Sequence, residues 1–327
     1  MTYQYSSVDF PFDICSPLID EHPKGSGTFV RLSEDVRKSV VYLGYELPGA
    51  DSEIDPCGTG FLIANGEPGG SYLVTAAHVA LELEDGPFDI RLNQKPDSKR
   101  PDVLPSGRLH RIDKAKWFYH PTDKTVDVAV MPFNAPNWAD VVWWKARHFA
   151  TAFKVKTKDL GPGDFTYVVG ILPRMKGTKR NMPAVHTGHI VLMGDGEKVT
   201  IKDWRDKTDK SKTMEIDAYL VQAIALPGSS GSPVFARRSL QHKLELPDLD
   251  QNPVKAAIPG SLWFLGIWRG AWFGTAPSDL HIPEHARVPY GFGTVVPAPK
   301  INEILDQPAL AEMRKNALID SLKEHLD

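Results

Sequence analysis

The sequence predicts an all-β protein, and three observations support this fold class. About a dozen short runs rich in β-branched and aromatic residues follow one another from Lys38 onward. Gly, Pro, Asn or Asp residues separate these runs, as they do at turns between strands. Long helical patterns are missing between them, whereas a protein of alternating strands and helices would show a helix after most strands. We therefore expect an antiparallel barrel or sandwich.

The two ends of the chain differ from this central region. Residues 1–35 are rich in Pro, Asp and Ser and show no sustained period, which predicts an N-terminal extension lying over the domain. Residues 306–327 carry apolar residues at helical spacing, and Pro308 stands where a helix can begin. The expected organisation is an extension, a β domain over residues 36–305 and a C-terminal helix packed on it.

Two charged stretches interrupt the strand pattern, at residues 173–215 and 237–260. Their density of charged residues, with turn-forming Gly and Pro among them, predicts surface loops. The charges either serve only to keep these loops solvated or shape a binding rim, where a regulatory protein partner would dock.

Composition excludes several classes of function. Hydrophobic residues make up 42% and charged residues 24% of the chain, as in ordinary folded proteins. The net charge of −3 supplies no positive field for phosphate backbones, so no nucleic acid partner is expected. The sequence has neither a basic leader with an apolar run nor an apolar window of membrane-spanning length. We expect a cytoplasmic protein without a membrane partner, in which Cys15 and Cys57 are free thiols.

A serine flanked by glycines is the strongest local signal. Ser230 lies in LPGSSGSPVF, residues 226–235. Acyl transfer needs a nucleophilic hydroxyl beside backbone amides that converge on the developing oxyanion, and glycines allow the tight turn that aims them. The alternative is an ordinary hairpin turn, in which Gly, Ser and Pro are also common.

A histidine follows an apolar strand in SYLVTAAHVA, residues 71–80. The small residues around His78 can hold an imidazole rigidly while leaving room for a nucleophile, as a general base requires. The alternative is a core histidine at the end of a strand.

An aspartate interrupts a third apolar run, TVDVAVMPF at residues 125–133. Burying the Asp127 carboxylate is costly unless it is paired, and orienting a histidine ring is one such use. The alternative is an aspartate in a turn. Asp123 is the rival residue for this role, but its polar neighbours predict that it is solvated.

Together and in this order, the three motifs resemble those of the chymotrypsin-like (trypsin-like) serine peptidase family. The resemblance covers about residues 36–305. It implies a fold of two six-stranded antiparallel β-barrels, with their boundary near residues 135–160, and the activity of a serine endopeptidase on a polypeptide substrate. By this resemblance Ser230 is the nucleophile, His78 the general base and Asp127 the residue that orients it. The backbone N–H groups of Gly228 and Ser230 would form the oxyanion hole, with neither metal nor cofactor.

Departures from the family pattern indicate which branch of the family the sequence resembles. Ser229 replaces the aspartate of GDSGGP, so we do not expect activation by a newly cleaved N-terminus. GSSGSP and GFGTVVP, residues 228–233 and 291–297, are similar to GNSGGP and GFAIP of the bacterial HtrA-type branch. About 30 residues follow Pro297, too few for the PDZ domain that full HtrA proteins carry.

The resemblance also implies a substrate site. Ile224 would form the base of the pocket for the residue before the scissile bond (P1), with a wall near Gly291. Arg269, Gly270 and Ala271 would lie beside the main chain of the substrate. Since no acid stands at the base, we expect apolar P1 side chains to be preferred over basic ones.

Two other readings stay open. An α/β-hydrolase esterase shares Gly-x-Ser, but Ser232 replaces the second glycine of its motif, and that family orders its residues serine, acid, histidine. A catalytically silent barrel that binds peptides in the same cleft is the alternative from a different class of function.

Overall fold

A computed structural model describes residues 32–49, 52–100, 102–158, 160–172, 175–194, 196–206, 208–209, 212–223, 228–239, 262–273 and 289–324. Of the predicted N-terminal extension, residues 1–31 lie outside this part. The first half of the described chain forms one sheet with two short helices. Its elements are α1 (Glu34–Lys38), β1 (Val40–Glu46), β2 (Ile54–Ala64), β3 (Ser71–Thr75), α2 (Ala77–Leu83), β4 (Phe88–Asn93), β5 (Gly107–Ile112), β6 (Phe118–Tyr119), β7 (Ala129–Pro132) and β8 (Trp144–Lys145).

The strands of this first sheet pair in the order β5-β4-β1-β2-β3-β7-β6, and β8 adds to β2 in parallel. The two end strands, β5 and β6, are consecutive in the chain and have no ladder between them among the described residues. Closure of this half into a six-stranded barrel is therefore not confirmed: the sheet has eight strands, and no pairing among the described residues closes it. β6 has only two residues, and among the described residues they pair with β7.

The second half forms a closed barrel. Its elements are α3 (Ala152–Lys158), β9 (Phe165–Gly170), β10 (Ala184–Met193), β11 (Val199–Lys202), β12 (Thr213–Ile216), β13 (Tyr219–Gln222), β14 (Pro233–Arg237), β15 (Trp263–Phe273) and β16 (Pro289–Pro297). Six of these strands close in the order β10-β13-β16-β15-β14-β9, while β11 and β12 form a separate hairpin. A mostly β fold with one closed six-stranded barrel is confirmed.

The prediction that residues 173–215 form a surface loop is wrong, because β10, β11 and the start of β12 lie within this stretch. In the β11–β12 hairpin, buried Val199, Ile201, Met214 and Ile216 alternate with exposed residues. Exposed polar side chains on the outer face hid this period of two from the sequence reading. Of the second predicted loop, residues 240–260 lie outside the described chain.

An aromatic cluster joins the sheet to the barrel. Phe61 of β2 stacks on Phe264 of β15 with ring centroids 4.9 Å apart, and Phe235 of β14 meets the edge of Phe61 at 5.9 Å. All three rings are fully buried. Burying each such side chain contributes about 1.5–3 kcal/mol, so the two halves are held in a fixed relation.

Two helices follow β16: α4 (Pro299–Leu305) and α5 (Pro308–Glu324). The predicted C-terminal helix is confirmed, and it begins at Pro308 as expected. Leu310 is fully buried, and Arg314 donates to the Tyr72 hydroxyl at 2.9 Å, which fastens α5 to the first sheet. No helix in the described ranges is both long and apolar enough to cross a bilayer.

Candidate active site

His78 lies in the first turn of α2, directly after β3. Ala76 and Ala77 before it are buried, and their small side chains let the chain turn from strand into helix against the core. The side chain of His78 is 28% exposed, so one side of the ring remains open to a substrate. The residue therefore combines a rigid backbone with an accessible ring.

Asp127 lies just before β7 and is fully buried. Its Oδ1 accepts the backbone N–H of His78 at 3.0 Å, and its Oδ2 lies 2.8 Å from His78 Nδ1. Burial acts to raise the pKa of Asp127, but the charge and hydrogen bonds of His78 and the charge of Arg269 outweigh it, so that the pKa is lowered. An ionised carboxylate at this place puts the ring proton on Nδ1 and leaves Nε2 as the basic atom.

Asp123, the rival to Asp127, has a local role instead. Its Oδ1 accepts from the N–H and the hydroxyl of Thr125, at 2.8 and 2.6 Å. These bonds stabilise the turn that leads into Asp127.

Ser230 lies in a turn with left-handed backbone on both sides, at Gly228 (φ 82°) and Gly231 (φ 85°). A Cβ on Gly231 would strike the carbonyl of Thr59 in β2. Thr59 donates its N–H to Ser230 O at 2.9 Å and its hydroxyl to Gly228 O at 3.0 Å. A strand of the first sheet thus fixes the serine turn of the barrel.

The Ser230 hydroxyl donates to the carbonyl of Arg269 at 3.1 Å. Among the described residues, the hydroxyl therefore bonds to this carbonyl and not to the predicted general base, His78. Rotation about one side-chain bond would redirect the hydroxyl, and catalytic hydrogen bonds commonly form only in the substrate complex.

A pocket of about 410 Å³ opens beside His78. Arg269, Gly270 and Ala271 of β15, the three residues predicted to contact the main chain of a substrate, line it. Its apolar wall comes from α2, the β11–β12 hairpin and β15, namely Leu81, Ile201, Trp204 and Trp272. Of the other predicted pocket residues, Gly291 is an exposed residue of β16, and Ile224 lies outside the described chain.

Three contributions to the site were not predicted. The sequence predicted a role only for the backbone of Arg269, but its side chain also reaches Asp127, with Nε 3.4 Å from Oδ2. The Trp204 ring lies 6.3 Å from the His78 ring, centroid to centroid. Thr59 positions the serine turn. Each acts across more than 100 residues of sequence, and no local pattern marks such long-range contacts.

A sequence model of the trypsin-like peptidase domain matches residues 58–240, more than half of the 327-residue chain. The chain belongs to the trypsin-like peptidase family. The matched segment of this trypsin-like peptidase domain contains His78, Asp127 and Ser230. No curated protein matches the sequence.

Two solved proteases are similar to this trypsin-like peptidase domain. The MamO protease domain from Magnetospirillum magneticum, in its apo form, is 14% identical with a TM-score of 0.45, over 84% of this chain and 99% of that one. The Rv3671c protease from M. tuberculosis, in its active form, is 17% identical with a TM-score of 0.37, over 83% and 80% of the two chains.

Metal-binding side chains do not cluster around this site. Within the described ranges, no three His, Cys, Asp or Glu residues are grouped so as to hold a metal ion. A mechanism without a metal stays a prediction, which chelation of the active protein would test.

Proposed function

We propose that this trypsin-like protein is a serine endopeptidase that cleaves peptide bonds through an acyl-enzyme on Ser230. The double hydrogen bond between Asp127 and His78 carries the proposal. A buried carboxylate that holds both the backbone and the ring of a partly exposed histidine is costly, and orienting a general base explains its presence.

In the proposed reaction, Ser230 Oγ attacks the scissile carbonyl while its proton passes to His78 Nε2. The protonated imidazole then gives this proton to the leaving amine, which leaves the acyl group on Ser230. Water deprotonated by the same nitrogen hydrolyses the ester and restores the serine. Asp127 stabilises the imidazolium in both steps.

The serine turn supports an oxyanion hole. In the portion of the chain that the structure describes, neither Gly228 N–H nor Ser230 N–H donates to a protein acceptor. The left-handed conformation of Gly228 is one that glycine adopts readily. Backbone amides beside the nucleophile that have no acceptor among the described residues are what a developing oxyanion requires.

The edge of β15 supports binding of a peptide main chain. Pairing between β14 and β15 ends at Pro233 and Ile267, so residues 269–271 extend beyond the last rung of that ladder. Their other edge pairs with β16. An extended substrate would add to this edge, which pairs with no strand among the described residues, and reach His78 along the pocket wall.

The proposed P1 preference is for apolar side chains over Arg and Lys. It depends on the position of Ile224 at the base of the pocket, which is inferred from the sequence alone. A buried basic head group without an acid would lose its hydration without compensation. Cleavage of a peptide library, with the cut bonds identified by mass spectrometry, tests this preference, and dominant cleavage after Arg or Lys would refute it.

One observation favours the second candidate, a silent peptide-binding module. The Ser230 hydroxyl is engaged by the Arg269 carbonyl, as it would remain in a protein that never activates it. Hydrolysis separates the two candidates. We expect turnover of unfolded protein substrates by the native chain and loss of at least about 1,000-fold in Ser230→Ala. Binding without turnover, equal in both proteins, would establish the silent module.

A further inference from the structure

We infer that Arg269 is a positioning residue whose guanidinium lets His78 act as a base at lower pH than the Asp127–His78 pair alone would allow. The inference rests on the proposed function, since it concerns the same site. It goes beyond that function by adding a fourth side chain, from β15 of the barrel, to the three that the sequence identifies.

The contact itself is electrostatic. Arg269 Nε lies 3.4 Å from Asp127 Oδ2, and their side chains are only 13% and 1% exposed. Nε has no well-aligned hydrogen-bond acceptor among the described residues, so charge attraction accounts for the contact. The other end of the guanidinium donates to Lys202 O in the β11–β12 hairpin at 3.4 Å. The cation is therefore held between the hairpin and the buried carboxylate.

Other charged residues surround Arg269 and Asp127, but each of them has a different partner or faces elsewhere. Lys202 meets the guanidinium through its carbonyl oxygen, and Asp203 of the same segment is paired with Arg205 at 2.7 Å. The carboxylate of Glu82 lines the pocket from α2. Asp123, on the loop before Asp127, is already bonded to Thr125. Among the described residues, no other Arg or Lys forms an ion pair with Asp127.

A fixed cation beside the pair changes the proton balance of the imidazole. It stabilises the ionised carboxylate, and it repels the positive charge of a protonated His78 ring. The neutral ring, which is the form that accepts the serine proton, is therefore populated at lower pH. A fixed unit charge in contact with the carboxylate partner of an imidazole shifts such a balance by roughly one pH unit.

The test is the pH dependence of kcat/KM in native protein, Arg269→Met and Arg269→Lys. Methionine keeps an apolar stem without the charge, and lysine restores a charge at nearly the same place. We expect the acidic midpoint of the profile to rise by about one pH unit in R269M, so that its loss is about tenfold greater at pH 6 than at pH 9. In R269K the midpoint should return most of the way to the native value.

The outcomes separate this inference from the proposed function. A uniform loss at all pH values in R269M, or an unmoved midpoint, would overturn the inference while the enzyme remains a serine peptidase. If the native protein has no activity, the proposed function fails. The inference is then tested by NMR titration of the His78 ring in native and R269M protein, where the same upward shift is expected and its absence refutes it.

Discussion

Thr59 provides a test of how the first sheet supports the serine turn. Its hydroxyl donates to Gly228 O at 3.0 Å and accepts the N–H of Ile171 at 3.2 Å, while the residue is fully buried. Thr59→Val keeps the shape of the side chain and removes both hydrogen bonds. The Thr59 N–H bond to Ser230 O involves only backbone and is retained.

The magnitude follows from the groups left behind. An unsatisfied buried donor or acceptor costs about 1–3 kcal/mol, so the loss of both partners should lower the free energy of unfolding by about 2–6 kcal/mol in T59V. Activity should fall further than stability implies, because Gly228 supplies one of the proposed oxyanion donors. A misplacement of about 1 Å in such a group costs about 100-fold, and we expect kcat/KM to drop by about 10- to 100-fold.

Thr166→Val is the matched control. Thr166 is also fully buried, on β9, but its hydroxyl has no hydrogen-bond partner in the described structure. The same substitution there removes an uncompensated polar group and should raise the free energy of unfolding by up to about 1 kcal/mol, without loss of activity. Urea denaturation and peptide hydrolysis measure both quantities. Equal effects of T59V and T166V would refute the reasoning.

Three further predictions follow from single contacts. Because the pKa of Asp127 is lowered in the folded protein, its stabilising contribution is present above about pH 4 and is lost as the pH falls through the pKa of the folded state. The difference in free energy of unfolding between native protein and Asp127→Asn, measured by urea denaturation, should therefore shrink in acid. Gly293→Ala places a methyl group where the buried Trp268 indole packs, and calorimetry should show a loss of about 1–3 kcal/mol; an unchanged melting temperature would contradict that packing. Burial raises the pKa of the Cys57 thiol, which keeps it protonated, so Cys57→Ser should retain kcat/KM within about twofold, and a large loss would assign the thiol a role.

The sequence predicted those parts of the molecule whose signals are local. The C-terminal helix begins at Pro308 because proline suits the first turn of a helix. The pairing of His78 with Asp127 could be predicted because His78 follows an apolar strand and Asp127 interrupts an otherwise apolar run. The order of the three motifs predicted the family, and the match over residues 58–240 confirms it.

Other features depend on pairing between distant segments, which no local pattern encodes. The sequence predicted that the backbone of Arg269 lies beside the substrate. It gave no sign that the side chain contacts the carboxylate of Asp127, 142 positions earlier in the chain. The β11–β12 hairpin was missed because exposed charges masked its alternating burial. Closure of the first sheet, which is not confirmed, depends on pairing between β5 and β6, two strands whose ends composition marks poorly.

The most direct test of the central claim is covalent labelling by a fluorophosphonate probe, with the modified residue identified by mass spectrometry. The reagent reacts with a serine only when a neighbouring base activates it. We predict a single adduct on Ser230 in the native protein and none in His78→Ala. Absence of labelling in the native protein, or an adduct on Ser229 instead, would contradict the assignment of Ser230 as the nucleophile.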